Sequence, residues 1–159
     1  MSSATPNTPH PPRSLQAPQL RWARDWAEIE QAFRLRERVF CDEQGVPLSQ
    51  ERDALDDRAM HMVAVGAGGG VVGTLRLVLC NEVARVGRIA VDAGWRRRGI
   101  ASAMLDAALR AALERGCSEA RLAAQVRAVG LYEQAGFRAV SEHFQEAGIA
   151  HVWMRRALA

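Results

Sequence analysis

RIAVDAGWRRRGIASAML, residues 88–105, changes its period in the middle. Its first residues close RVGRIAVD (85–92), a stretch of strand length that carries β-branched Val86, Ile89 and Val91. After Gly99 the apolar residues recur every three to four positions. IASAMLDAALRAALERG (100–116) therefore reads as an amphipathic helix capped by Gly116. Ile100, Met104, Leu105, Ala108, Leu109 and Leu113 form its predicted buried face. Strand, short turn and helix in immediate succession is a building unit of α/β sheets. The turn carries three consecutive arginines, Arg96, Arg97 and Arg98. A helix N-terminus already holds about half a positive charge, so cations there are unfavourable unless an anion is expected. Two readings follow: a solvated basic loop, or a phosphate site on the exposed helix amides.

Working outward, LRWARDW (20–26) alternates weakly and reads as a first strand. WAEIEQAFRLRERVFCDEQ (26–44) follows as an amphipathic helix carried by Ile29, Phe33, Arg36/Glu37 and Phe40. GVPLSQERDALDDRA (45–59) is a loop or short helix. HMVAVGA (61–67) and VVGTLRLVLC (71–80) are strands joined by a turn at Gly68, Gly69 and Gly70. EARLAAQV (119–126) is a strand, AVGLYEQAGF (128–137) a short helix, and RAVSEHFQ (138–145) with IAHVWMRR (149–156) a terminal hairpin. The fold class is α/β: a mixed sheet, antiparallel early and parallel in the middle, with flanking helices.

The chain has 159 residues. Residues 1–18 are rich in Pro, Ser and Thr and read as a disordered tail, and 19–159 as one domain. No apolar run approaches the roughly 20 residues of a membrane span, and the N-terminus lacks a signal-type apolar core. All 21 basic residues are arginine, which removes lysine Schiff-base chemistry and a lysine phosphate loop. The arginines are scattered, and no aromatic residues interleave with a basic strip, so the composition argues against a nucleic-acid binder. Cys41, Cys80 and Cys117 form no metal-ligand pattern and read as buried, reduced thiols of a cytoplasmic protein.

Element order and three segments together resemble the GNAT superfamily of acyl-CoA N-acetyltransferases, from about residue 20 to the end. The segments are RIAVDAGWRRRGIASAML with its Arg-x-x-Gly-x-Ala turn (Arg96 to Ala101), LAAQVRAVGLYEQAGF, and LRERVFCDEQGVP followed by Glu51, Asp53, Asp56 and His61. With FQEAGIAHVWM, the last of these resembles the ElaA-like branch of small bacterial GNAT proteins. The resemblance implies a mostly antiparallel twisted sheet with a splayed central strand pair. It implies acetyl-CoA as co-substrate, no metal, and a small-molecule primary amine as acceptor, with a homodimer through the terminal hairpin.

Site roles follow from the same resemblance. Ile89, Ala90 and Val91 pair with the pantetheine arm, and an amide near Val91 stabilises the oxyanion. The turn of Arg96, Arg97, Arg98, Gly99, Ile100 and Ala101 takes the pyrophosphate. Gln125 stands where many members carry an asparagine that bonds the coenzyme. Tyr132, the one tyrosine of the chain, protonates the leaving thiolate. The glutamate that many members place before the pyrophosphate turn is absent, for Arg85, Gly87 and Arg88 occupy that neighbourhood. Candidate bases are Glu43, His61, His151, Asp92 and Glu146, or water itself. Glu51, Asp53, Asp56 and Asp57 form an acidic loop, read either as a solvated turn or as an attractor of a cationic amine. The alternative to catalysis is a GNAT-fold module that binds acyl-CoA or a partner without chemistry.

Overall fold

A computed structural model describes residues 16–159. The tail expected over residues 1–18 lies outside the described residues up to residue 15. One eight-stranded sheet organises the rest. Its strands are β1 (Gln19–Trp22), β2 (Met60–Val65), β3 (Val71–Cys80), β4 (Val83–Val91), β5 (Glu119–Gln125), β6 (Arg138–Ala139), β7 (Phe144–Glu146) and β8 (Ile149–Ala157). The order is β1-β2-β3-β4-β5-β8-β6, with β7 also on β8. All pairings are antiparallel except β4 with β5.

That parallel pair decides where a site can form. β4 and β5 are in register only at Val83–Glu119, Ala84–Ala120 and Arg85–Arg121. Beyond Arg85 the strands part into a V, the splay expected above. A β-bulge drives the divergence: Thr74 pairs Ala90 while Arg76 pairs Gly87, so Arg88 and Ile89 both stand opposite Leu75. Arg88 takes a left-handed conformation, φ 51°, which a side-chain-bearing residue adopts only where its surroundings hold it.

Helices α1 (Trp26–Arg36) and α3 (Ile100–Glu114) cover opposite faces of the central strands. The α3 face buries Ile100, Met104, Leu105, Ala108, Leu109 and Ala112. Ala112 thus takes the place expected for Leu113, which is exposed, because the apolar stripe drifts around a helix of 3.6 residues per turn. Full burial of Leu105 or Met104 contributes about 2 kcal/mol each. The close approach of α3 to the sheet depends on Gly73, where a Cβ would meet Ile100 Cγ2 and Met104 Cε at 3.2 Å.

The helix expected across 26–44 changes character instead of running through. Asp25 caps α1, accepting from the Glu28 amide at 2.9 Å. After Arg36 the backbone widens into a π-helical segment, Glu37–Glu43. Such wide turns cluster at functional sites. Short helices α2 (Leu48–Glu51) and α4 (Val129–Gln134) complete the chain. Cys117 is buried and Cys41 half-buried, while Cys80, expected inside, is exposed at the end of β3.

Candidate active site

The V between β4 and β5 opens into a cleft of about 780 Å³, the size of a cofactor or substrate site. Its β4 wall includes Ile89 and Val91, and its β5 wall Leu122, Ala123 and Gln125. Asp92 donates its amide to Val72 O at 2.8 Å. Backbone groups alternate direction along a strand, so Val91 turns its own N–H and C=O the other way, into the gap. There the Val91 carbonyl accepts from Arg96 Nε at 3.0 Å.

At one mouth of the cleft stands the start of α3. No side chain caps it, so its first amides are available to an anion. Gly99 caps the helix at φ 75°, and a Cβ there would meet nothing within 4 Å. Arg97, Gly99, Ile100 and Ala101 line the cleft, as does Arg96. Arg96 also pairs with Glu43 across 2.6 Å. Arg98, expected on the phosphates, is not among the lining residues; its guanidinium lies over Trp95, 4.9 Å from the ring centre. Ala90 is likewise off the cleft, buried against α1.

Tyr132 lines the cleft from α4, edge-on to Phe137 at 6.2 Å. Burial pushes its phenol up to about 12, so it is a protonated donor at neutral pH. Gln125 donates to Gln44 Oε1 at 2.8 Å and accepts from Arg127 Nε at 3.0 Å. The π-helical segment and the residue that follows it thus touch both lips of the V, through Glu43 and Gln44. Gln44 is a contact that the sequence reading missed, although CDEQG lay inside a quoted motif.

The candidate bases separate. His151 lines the cleft, and its Nδ1 lies 2.7 Å from Ile149 O. A carbonyl only accepts, so Nδ1 carries a proton, and in the neutral ring the lone pair is on Nε2. Phe144 stacks on the ring at 5.9 Å, and Glu146, also lining the cleft, has an oxygen 4.0 Å from Nε2. His61 is buried beneath Phe33, and its Nε2 donates to Asp56 O at 2.9 Å. Burial lowers its pKa, so it is neutral and braces the acidic loop. Neither His61, Glu43 nor Asp92 lines the cleft.

The acidic loop is not a free negative patch. Arg36 Nε donates to Glu51 Oε1 at 2.6 Å and Arg36 Nη1 to Asp56 Oδ1 at 2.8 Å. Arg76 Nη1 reaches Asp53 at 2.7 Å, and Arg88 reaches Asp53 at 3.2 Å and the Glu51 carbonyl at 3.0 Å. Arg36 and Glu51 are each about 1% exposed. Burial raises the Asp56 carboxyl, but the bonds from Arg36 and Arg76 outweigh it and hold the group at about 2. Three carboxylates are therefore committed to three arginines, and Asp57 remains exposed. The attraction of a cationic amine by this loop, one of the two readings above, loses its charge.

The profile of an Acetyltransferase (GNAT) domain matches residues 27–158. The chain belongs to the GNAT acetyltransferase family. YjcF of Bacillus subtilis (strain 168), named an uncharacterized N-acetyltransferase, is 35% identical to this GNAT chain over 135 residues, 84% of this chain and 96% of that protein. The crystal structure of an acyl-CoA N-acyltransferase from Pseudomonas aeruginosa superimposes with a TM-score of 0.78 at 30% identity, covering 87% of this chain and 100% of that one. Escherichia coli ElaA shares the fold, with a TM-score of 0.77 at 22% identity over 87% of this chain and 99% of its own. Among the described residues, no group of His, Cys, Asp and Glu could hold a metal, and no helix is long and apolar enough to cross a membrane.

Proposed function

We propose that this GNAT protein transfers the acetyl group of acetyl-CoA to a primary amine by direct attack. The observation that carries the proposal is the convergence of three groups on one cleft: the uncapped start of α3, the inward-facing Val91 amide, and the protonated Tyr132. The α3 amides and Arg97 suit a pyrophosphate. The Val91 N–H suits the oxyanion that develops as the amine nitrogen adds to the thioester carbonyl. The new C–N bond forms, the C–S bond breaks, and the thiolate takes a proton from Tyr132. His151 Nε2 takes the proton released by the amine, in the role for which Glu43 and His61 were also candidates. The same cleft without turnover would be an acyl-CoA-binding module, and its occupant would still be the coenzyme. The protein is expected to act in the cytoplasm and, through its terminal hairpin, as a homodimer.

Calorimetric titration with acetyl-CoA and with free CoA tests the cofactor site, comparing wild type with Gly99→Glu. Micromolar binding by wild type, weakened at least about 100-fold by the variant, is expected. Absence of binding to wild type sinks the acetyltransferase reading. Binding without thiol release across a panel of amines supports the non-catalytic module instead.

A further inference from the structure

The acceptor side of the cleft carries a charge imbalance that the transfer step does not use. Arg85 on β4 pairs with Arg121 on β5, and Arg121 with Arg155 on β8. Register partners share a face, so three arginines form one row across the closed end of the V. Like charges directly opposite one another destabilise a sheet. Glu119 serves both Arg121 and Arg155, at 2.6 and 2.5 Å. Arg85 has no carboxylate partner among the described residues; its contact is the Trp153 ring, 5.8 Å from the guanidinium carbon. Arg76, Arg88 and Arg96, which also line the cleft, are each matched by a carboxylate.

We infer that the acceptor is an amine bearing an anionic group, carboxylate or phosphate, which Arg85 holds at the closed end of the cleft while the nitrogen stands at His151. This rests on the acetyltransferase reading above. Trp153 lines the floor between the two ends and stacks on Phe144 at 5.9 Å, giving a flat apolar support. It lies two residues from His151 on β8, about 6.6 Å along the strand, and Arg85 reaches it from the far side. An α-amino group sits too close to its own carboxylate to span that distance. The acceptor is therefore elongated, with its amine separated from the anion by an apolar spacer. A polyamine is disfavoured at the closed end, because the loop carboxylates Glu51, Asp53 and Asp56 are already paired and the unmatched charge there is the positive Arg85.

The test uses the full chain saturated with free CoA, titrated calorimetrically with δ-aminovalerate, aminobutyl phosphate, pentylamine and cadaverine. At least one anionic amine is expected to bind about tenfold more tightly than pentylamine, and the better of the two identifies the anion. Arg85→Ala abolishes that difference, and Arg85→Glu shifts preference to cadaverine, with affinity for CoA unchanged in both. Equal or undetectable binding of the anionic amines and pentylamine by wild type overturns the inference. So does a preference that survives Arg85→Ala. Acetylation by wild type is scored separately. Preferential binding without acetylation upholds the anion site and defeats the transferase reading. Equal kcat/KM for pentylamine and δ-aminovalerate, with equal binding, defeats the site and upholds transfer.

Discussion

Arg36, Arg76 and Arg88, around the acidic loop, and Arg85 and Arg97, along the cleft, are chemically the same residue in opposite circumstances. The first three are buried or half-buried and held by Glu51, Asp53 and Asp56. The other two are exposed at the cleft surface with no carboxylate partner among the described residues. A charge removed from water has to be neutralised inside the protein, so the first group builds a wall. A charge left in water can wait for a ligand. Pairing and burial, more than the number of charges, separate scaffold from site here.

The largest expected effect breaks the wall. Glu51→Leu leaves Arg36 charged and buried without its nearest partner, which costs about 3–5 kcal/mol and lowers Tm by about 10 °C in thermal unfolding. Adding Arg36→Met recovers part of that loss, since no buried cation is then stranded. Recovery of nothing would mean that packing, and not charge, holds the loop.

On the ligand side, His151→Gln lowers kcat by about 100-fold in a thiol-release assay, with the affinity for acetyl-CoA and the Tm unchanged. His61→Gln does the reverse, lowering Tm while kcat holds. Identical behaviour of the two variants would erase the distinction between the loop-bracing His61 and the cleft-lining His151. Acid probes the wall without mutation. Asp56 has a folded pKa of about 2 against an ordinary 3.8. Its contribution is present above pH 4 and is lost as pH falls through 4 toward 2. The loss is about 2 kcal/mol, measurable as denaturant midpoints across that window. Asp56→Asn flattens that part of the profile.

Smaller effects sharpen the contrast. Arg97 sits at φ 63°, a conformation glycine adopts freely, so Arg97→Gly removes the guanidinium without strain. Affinity for acetyl-CoA falls about tenfold and Tm does not drop. Glu43→Gln breaks the exposed pair with Arg96, and its effect on stability is below about 1 kcal/mol. By this measure Glu43 belongs to neither wall nor catalytic centre.

What the sequence determined by itself is local. The β4–turn–α3 unit, the glycine turn at 68–70 and the Gly116 cap rest on period changes and backbone preferences within a few residues. They also disclosed the family, because the turn that carries the resemblance is itself contiguous. Tertiary structure alone decided the rest. Arg36 meets Asp56 twenty positions away, and Arg88 meets the Glu51 carbonyl 37 positions away, so no local pattern could show that the acidic loop was already spent. The bulge that opens the V depends on β3 holding β4 out of register. His61 and His151 both lie on strands, and only the packing of α1 over one and the open cleft beside the other assigns them different work. Short-range preference is written residue by residue, whereas charge pairing, burial and strand divergence exist only once distant segments have met.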